Sequence, residues 1–180
     1  MRRRYLSDLY SDRVSYIKSV MPHCCIGADV IVGFPGETEE SFLETYNFLN
    51  GLDVSYLHVF TYSERANTLA AESSEVIPID VRRKRNRMLQ ILSEKKLHNF
   101  YMQQKGSKRK ALLEAQNRDG WLQGFTDNYV RVSVPYSDEL TRSIAQVELG
   151  DINSDGTVRA EIISFAKTNF TPEYSESVTC

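Results

Sequence analysis

The ten residues Asp29 to Thr38, DVIVGFPGET, decide the fold of the surrounding chain. Residues 30–32 are a β-branched apolar run of the kind found in strands buried on both faces. Gly33, Pro35 and Gly36 then interrupt the strand, and a polar helix start follows. Strand, tight turn and helix in this order form the βα step of a parallel sheet or barrel, where ligands bind at the carboxyl edge of the strands. The alternative is an ordinary βα turn with no ligand.

The composition is that of a globular protein with one ordinary domain or two small ones: 180 residues, 41% hydrophobic and 26% charged. No apolar run is long enough to cross a membrane, and no signal-peptide core follows the first residues. We therefore expect a cytoplasmic protein with no membrane partner. The three cysteines, of which Cys24 and Cys25 are adjacent, form neither a disulfide framework nor a CxxC metal pair.

Charge is segregated along the chain, although the net charge of −2 argues against attraction of nucleic acid by the whole surface. Residues 81–110 contain eleven Lys and Arg against one acid, and residues 111–164 contain nine acids against four Arg. The basic segment is either a contact for phosphate groups or a solvated face.

Apolar spacing and turn residues predict three helices and two strands in the first hundred residues. The helices are expected at 6–21, 37–50 and 78–103, and the strands at 28–33 and 55–62. Thr38 is the predicted N-cap of the second helix. Two strands cannot close a parallel sheet with both edges covered, so we interpret this part as the back part of a larger fold. The alternative is that it borrows strands from a partner.

Short alternating runs after Gly106, separated by Asn, Asp and Gly turns, predict an all-β segment. Its strands are expected at 109–115, 121–125, 129–134, 146–149 and 157–163. Five short strands in about sixty residues indicate a small closed barrel of the OB type. Residues 165–180 show no clear period and are expected to be a loose tail.

Five stretches resemble, in the same order, the C-terminal part of the radical S-adenosylmethionine methylthiotransferases. These enzymes insert sulfur and a methyl group into tRNA bases or a ribosomal protein. The stretches are MRRRY at 1–5, IGADVIVGFPGETEESF at 26–42, SYLHVFTYSERANTLAA at 55–71, RKRNRMLQILSEKK at 83–96 and GFTDNYVRVSV at 124–134. The opening and the second strand look most like the subgroup that acts on N6-threonylcarbamoyladenosine in the tRNA anticodon loop.

The resemblance implies an α/β partial TIM-like barrel fragment at 1–103, the C-terminal half of the radical S-adenosylmethionine domain. It implies a TRAM domain, a small five-stranded OB-like barrel that binds tRNA, at 104–164, and a tail at 165–180. The family's CxxxCxxC signature is absent, because Cys24, Cys25 and Cys180 have the wrong spacing. The full-length protein would use S-adenosylmethionine and two [4Fe-4S] clusters, none of them bound by residues of this chain.

The chemistry of the complete enzyme is also implied by the resemblance. A reduced cluster cleaves S-adenosylmethionine to an adenosyl radical, which abstracts hydrogen from C2 of the adenine ring. An auxiliary cluster supplies sulfur, and a second S-adenosylmethionine supplies the methyl group. We expect this chain alone to have no catalytic residue, no metal ligand and no turnover. Its partners would be tRNA and the missing N-terminal part of the same protein.

Five residues are expected, by the resemblance, to contribute to the S-adenosylmethionine site. They are Ile31, Gly33, Phe60, Tyr62 and Arg65. The alternative is that Ile31 and Phe60 are core residues and that Arg65 pairs with a neighbouring acid on the surface. The family's Arg-x-Gly-Thr has asparagine at position 67 here, a residue that tolerates a left-handed backbone. His58 and Asp29 are expected to be structural residues of their strands.

The RNA-binding candidates lie in and just before the predicted barrel. They are Lys108, Arg109, Lys110, Asn128, Tyr129 and Arg131. Tyr129 suits stacking on a base and Arg131 suits contact with phosphate, and the basic run beside residues 82–87 would form a phosphate-binding stripe. The alternative is a turn asparagine, a core tyrosine and a solvated arginine.

Two other functions are compatible with these residues. The first is a stand-alone RNA-binding module with no catalytic part, whose binding would depend on salt. The second is the related methylthiotransferase activity on a ribosomal protein, with the small barrel binding protein instead of tRNA.

Overall fold

The computed structural model describes residues 7–65, 67, 68, 70 and 73–166. The chain divides into two compact units, Met1–Gln103 and Gln104–Cys180. Within the described residues, the first contains three helices and two strands, and the second contains five strands and a 3-10 helix at Asp138–Leu140. No described helix is long and apolar enough to span a membrane.

The first unit alternates helices and strands. Its elements are α1 Ser7–Val20, β1 Gly27–Val32, α2 Glu39–Gly51, β2 Tyr56–Thr61 and α3 Ile79–Gln103. The two strands pair in parallel, in register from Gly27 opposite Tyr56 to Val32 opposite Thr61. All five elements lie within a few residues of their predicted positions, which confirms the helix and strand assignments from apolar spacing. The predicted N-cap is also confirmed, since the Thr38 hydroxyl accepts the Ser41 N–H at 3.2 Å.

The core of the first unit lies on one face of the small sheet, beneath the helices. Its buried members are Val14, Ala28, Val32, Phe42, Leu49, Leu52, Val54, Leu57, Leu89 and Leu92. Alternate residues of the strands face away from this core, and Asp29, Ile31, His58 and Phe60 are exposed. The expectation of a strand buried on both faces is therefore wrong for β1. Within the described residues, the helices cover only one side of the sheet.

The second unit is a closed barrel. Its strands are β3 Lys108–Arg118, β4 Trp121–Thr126, β5 Arg131–Pro135, β6 Ile144–Ile152 and β7 Val158–Ala166, in the order β3-β4-β5-β7-β6. The five predicted strands and their closure are confirmed. Small and branched side chains fill the interior, as a barrel of this size requires. Ala111, Leu113, Leu122, Val132, Val147 and Val158 are among the fully buried residues.

One seam of the barrel differs from the others. β5 and β7 pair in parallel through Val132 opposite Val158 and Ser133 opposite Arg159, whereas every other neighbouring pair is antiparallel. The loop between β6 and β7 covers this seam, because Asn153 Nδ2 donates to Ser133 Oγ at 2.9 Å. The predicted tail starts inside β7, at residue 165, and the rest of it lies outside the described residues.

Candidate cofactor face and nucleic-acid interface

The exposed face of the β1–β2 sheet carries three cross-strand pairs. Opposite one another lie Gly27 and Tyr56, Asp29 and His58, and Ile31 and Phe60. Ile31 and Phe60, two of the predicted cofactor residues, are therefore neighbours near the carboxyl ends of their strands. They are 40% and 53% exposed. Two apolar side chains open to solvent at this edge form a surface that suits the flat, apolar face of an adenine ring.

The turn after β1 contains two glycines in the left-handed region, of which Gly33 is buried. Gly33 has φ 78° and Gly36 has φ 79°, a conformation that side chains disfavour. Gly33 N–H donates to Glu37 Oε2 at 2.8 Å, and Gly36 N–H donates to Glu75 O at 3.0 Å. The turn is thus held from both sides. Glu37 therefore fixes the turn through its carboxylate, and it also lies just before the start of α2.

Arg85 of α3 holds the same turn through hydrogen bonds to Glu37. Its buried guanidinium donates through one nitrogen to the Glu37 carbonyl at 2.9 Å and carboxylate at 2.6 Å. The other terminal nitrogen donates to Glu39 at 3.1 Å, and the guanidinium lies 5.3 Å from the centre of the Phe42 ring. Arg85 therefore ties the start of α2 to α3 with charge-assisted bonds in a region largely shielded from water.

Arg82, one turn earlier on α3, holds the loop after β2. It donates to the Tyr62 carbonyl at 3.0 Å, to Glu64 Oε1 at 2.6 Å and to the Ile77 carbonyl at 2.7 Å. The hydrogen bond from Arg82 lowers the pKa of the exposed Glu64 carboxyl. Arg82 and Arg85 are both buried, so they do not belong to a solvated basic stripe. The stripe proposed for residues 82–87 is reduced to the exposed residues 83, 84 and 87.

The other predicted cofactor residues lie around this edge. Tyr62 directly follows β2, and its ring contacts Phe34 edge-on at 5.3 Å between centroids. Arg65 is exposed, and its carbonyl accepts the Thr68 hydroxyl at 2.9 Å. Asn67 has φ 62°, the left-handed conformation that the sequence predicts for the position that is glycine in the family. Glu64, a neighbour proposed as a partner of Arg65, pairs with Arg82 instead.

A pocket of about 1060 Å³ lies along β1 within the first unit. Ile31 is the predicted cofactor residue that lines it, together with Asp29, Glu37 and His58. His58 is exposed, with its ring 4.9 Å from the ring of Tyr56. The expectation of a hydrogen-bonded core histidine is therefore wrong. Asp29 lies opposite His58, and both polar side chains are exposed on the open face of the sheet.

The basic run at the start of β3 is divided between two environments. Lys108 and Lys110 are exposed, and Lys108 approaches Glu148 at 3.9 Å. Arg109 is partly buried, 3.4 Å from the Gln104 amide oxygen and 3.9 Å from the Asp127 carboxylate. Since strand residues alternate between faces, Lys108 and Lys110 share the outer side of the barrel.

Asn128 is buried and organises the turn between β4 and β5. Its Nδ2 donates to Gln104 Oε1 at 3.0 Å, and its Oδ1 accepts the Thr126 hydroxyl at 2.7 Å. The Val130 N–H donates to Thr126 Oγ1 at 2.9 Å, closing the turn. These bonds leave Tyr129 at the tip with φ 68° and its side chain 63% exposed. The alternative of a core tyrosine is therefore wrong.

Tyr129 lies beside Phe125, with ring centroids 5.3 Å apart. Arg131 lies opposite Phe125 in the β4–β5 register, and its guanidinium is 5.8 Å from the centre of the Phe125 ring. Its terminal nitrogen also donates to Gln123 Oε1 at 2.7 Å. Phe125 was not among the predicted site residues. The alternation of β4 could have identified it, because Phe125 is an exposed aromatic residue between buried Gly124 and Thr126.

The described residues contain no group of three or more His, Cys, Asp or Glu side chains that could hold a metal ion. Cys24 and Cys25 are both free and half-buried. Burial raises the pKa of the Cys25 thiol, which disfavours the thiolate that binds metals. These two cysteines therefore do not fit the ligand set of an iron–sulfur cluster.

Comparisons with known proteins identify relatives along most of the chain, although no family model matches it. A Bacillus subtilis protein named threonylcarbamoyladenosine tRNA methylthiotransferase MtaB is 34% identical over 154 residues, covering 83% of this chain and 34% of the relative. A protein of the same name from Aquifex aeolicus is 39% identical over 132 residues, or 73% of this chain and 31% of the relative.

A third relative is named for a different modified base. The Desulfitobacterium hafniense protein named tRNA-2-methylthio-N(6)-dimethylallyladenosine synthase is 33% identical over 158 residues, which cover 86% of this chain and 35% of the relative. The chain thus spans about a third of the length of the relatives it matches. By sequence, it belongs to the family indicated by its five motifs, the radical S-adenosylmethionine methylthiotransferases.

Proposed function

We propose that this chain is the part of a tRNA methylthiotransferase that provides one wall of the S-adenosylmethionine site and docks the tRNA. The observation that carries the proposal is the exposed Ile31–Phe60 pair at the carboxyl edge of a parallel sheet. Ligands bind at this edge in α/β proteins. In this proposal Ile31 and Phe60 contact the adenine, Gly33 and Tyr62 shape the turn backbones, and Arg65 pairs with an anionic group. The cofactor, when bound, supplies the radical and the methyl group.

The first unit would be the C-terminal half of a partial TIM-like barrel. Among the described residues, β1 and β2 pair only with each other, and the open side of β1 adjoins the large pocket. Parallel sheets are normally larger and covered on both faces. A longer protein with further parallel strands beside β1 would complete the sheet and enclose the cofactor face.

The proposed substrate is N6-threonylcarbamoyladenosine in tRNA. Two relatives with this modified base in their names support it, at 34% and 39% identity. The second unit would be a TRAM domain that holds the tRNA through Lys108, Arg109, Lys110, Tyr129 and Arg131. Asn128 would act indirectly, because its side chain is occupied within the turn.

A chimera tests the proposal. The matching third of the Bacillus subtilis relative is replaced by this chain, and tRNA from cells lacking the native enzyme is analysed by mass spectrometry. The expected product is the 2-methylthio derivative of threonylcarbamoyladenosine. An Ile31→Asp chimera should lose it, because a carboxylate would lie against the apolar face of the adenine, whereas Leu43→Asp, an exposed substitution on α2, should retain it.

A second chimera with the Desulfitobacterium hafniense relative separates the substrates. If this chain supports methylthiolation only of dimethylallyladenosine, the proposed substrate is wrong. If neither chimera is active while both parent enzymes are, the assignment of this chain to the cofactor wall fails. Competition between tRNA and ribosomal protein for the purified chain distinguishes the alternative protein substrate.

A further inference from the structure

An apolar row crosses three strands on the outside of the barrel and ends at an arginine on the fourth. Ile144 of β6 lies opposite Leu112 of β3, Leu112 lies opposite Phe125 of β4, and Phe125 lies opposite Arg131 of β5. Leu112 is 60% exposed and Ile144 is 44% exposed, so the row is open to solvent. Outward positions of small barrels are ordinarily polar, and a continuous apolar row needs an explanation.

Tyr129 extends this row in a conformation that costs free energy. A left-handed backbone at a residue other than glycine costs on the order of 1 kcal/mol. The Thr126–Asn128 bonds impose this conformation and place the ring 5.3 Å from the ring of Phe125. The ring contacts Phe125 but stays largely exposed, so the strained turn holds an aromatic side chain at the surface of the barrel.

Cations border the aromatic pair. The Arg131 guanidinium lies 5.8 Å from the centre of the Phe125 ring. Lys110 precedes Leu112 by two residues on the same face of β3 and is exposed. A ligand that satisfies both the rings and the cations has flat apolar groups joined by anionic links. Nucleobases joined by phosphates have this chemistry.

We propose that this face, made of Leu112, Phe125, Tyr129, Arg131 and Ile144 with Lys110 at its border, is a stacking platform for unpaired bases of single-stranded RNA. The proposal rests on the proposed docking of tRNA and adds that the barrel binds splayed bases rather than duplex. A duplex keeps its base faces stacked inside, so it offers no partner to Phe125 and Tyr129. Phosphates of the same strand would contact Lys110 and Arg131.

The experiment uses the purified chain with a labelled 12-nucleotide single-stranded RNA containing 2-aminopurine, and with the duplex of the same sequence. Anisotropy gives Kd, and quenching of 2-aminopurine reports stacking. Tyr129→Gly and Phe125→Ala are each expected to weaken single-strand binding by roughly tenfold and to remove the quenching. Tyr16→Ala is the matched control, since Tyr16 on α1 is 63% exposed, as Tyr129 is.

Stability separates binding from folding. Tyr129→Gly relieves the strained backbone and also removes the ring contact with Phe125, and because these effects offset each other its urea midpoint, followed by Trp121 fluorescence, should stay close to that of the parent. Weaker binding by a variant that is folded under the binding conditions cannot come from unfolding. Duplex bound as tightly as single strand, unchanged binding by Tyr129→Gly, no RNA binding at all, or concentration-dependent self-association abolished by Tyr129→Gly would each overturn the platform.

The outcome is independent of the chimera test. If the chimera is active but Tyr129→Gly does not weaken binding of single-stranded RNA, the platform is rejected and the proposed function stands. If the purified chain quenches 2-aminopurine but the chimera is inactive, the cofactor-wall assignment is rejected and the platform stands.

Discussion

Arg85 shows how a single side chain links the start of a helix to the backbone of the candidate cofactor edge. Its partner Glu37 accepts the Gly33 N–H as well, so the carboxylate bridges the guanidinium and the turn after β1. The Glu37 side chain is only 15% exposed. A carboxylate held so far from water requires its cation, and loss of that cation is costly.

Arg85→Met should therefore lower the free energy of unfolding of the first unit by about 3 kcal/mol. The measurement is urea unfolding followed by circular dichroism at 222 nm, because the three α-helices of the described residues all belong to this unit. Arg83→Met, an exposed neighbour, is the control and should change stability by less than about 0.5 kcal/mol. An equal decrease in the free energy of unfolding of the two variants would show that the buried hydrogen bonds of Arg85 do not stabilise the unit.

The inward direction of Arg82 and Arg85 could not be deduced from the sequence, because a cluster of basic residues looks the same whether it meets phosphates or protein carbonyls. The loops that accept these bonds are close to α3 only after the chain folds. Asn67 was easier to predict, since its left-handed backbone is a local property of a turn that tolerates asparagine.

At the scale of elements, α2 ends without a basic residue of its own and relies on α3. Lys96 Nζ donates to the carbonyls of Asn50 at 3.1 Å and of Leu52 at 2.7 Å. The last carbonyls of a helix have no partner within the helix, and a cation there also interacts favourably with the helix dipole. A neighbouring helix thus provides the C-terminal cap.

Lys96→Met should destabilise the first unit by about 1.5 kcal/mol, since it removes two charge-assisted bonds at a partly buried site. Helical circular dichroism in urea measures the loss. Lys95→Met, whose lysine is exposed, provides the control and should leave the urea midpoint unchanged. If Lys96→Met and Lys95→Met had the same urea midpoint, a capping role for Lys96 would be contradicted.

The loop between β6 and β7 makes the barrel sensitive to acid. Asp155 Oδ1 accepts the Thr157 N–H at 2.9 Å and the Thr157 hydroxyl at 2.7 Å, and these bonds lower the pKa of the Asp155 carboxyl below its usual value of 3.8. Because the folded pKa is depressed, the stabilisation is present above pH 3.8 and is lost as the pH falls through the lower folded value.

The barrel of the parent chain should therefore lose stability more steeply than that of Asp155→Asn below about pH 4. Trp121 fluorescence during urea unfolding at several pH values gives the comparison. Glu139→Gln is the control, because Glu139 is an exposed acid elsewhere in the same unit. If the pH dependence of Asp155→Asn equals that of the parent, the carboxylate bonds do not contribute.

Periodicity was sufficient to predict the elements, and insufficient to predict which faces are covered. A Val-Ile-Val run indicates a strand, but the number of helical layers over it depends on the rest of the sheet. Ile31 and Phe60 are exposed for this reason. In the barrel, Leu112, Phe125 and Ile144 are apolar strand residues that the sequence alone does not assign to either face. Their exposure emerges only from the register of four strands.

For the whole molecule, the net charge of −2 conceals a local cationic border on an otherwise acidic barrel. Exposed Lys108 and Lys110 lie on its outer side, and Lys108 approaches Glu148 at 3.9 Å. Of these two lysines, Lys110 is therefore the more available to a phosphate group. A phosphate contact releases counterions and makes binding depend on salt, whereas a stacked base does not.

Lys110→Gln should weaken tRNA binding at low salt and reduce the slope of log K against log salt concentration by about 0.7 to 0.9. Phe125→Ala should weaken binding without changing that slope. Titrations at several salt concentrations measure both, and Lys95→Gln serves as the control. Identical slopes for the Lys110 and Lys95 variants would exclude a phosphate contact at Lys110.

The parallel seam of the barrel has a consequence for its internal motion. Two residue pairs join β5 to β7, whereas seven join β6 to β7. We therefore expect local opening of the barrel to occur first between Val132 and Val158, while the antiparallel strand pairs remain hydrogen-bonded. Backbone amides at this join should take up deuterium ahead of those elsewhere in the barrel wall.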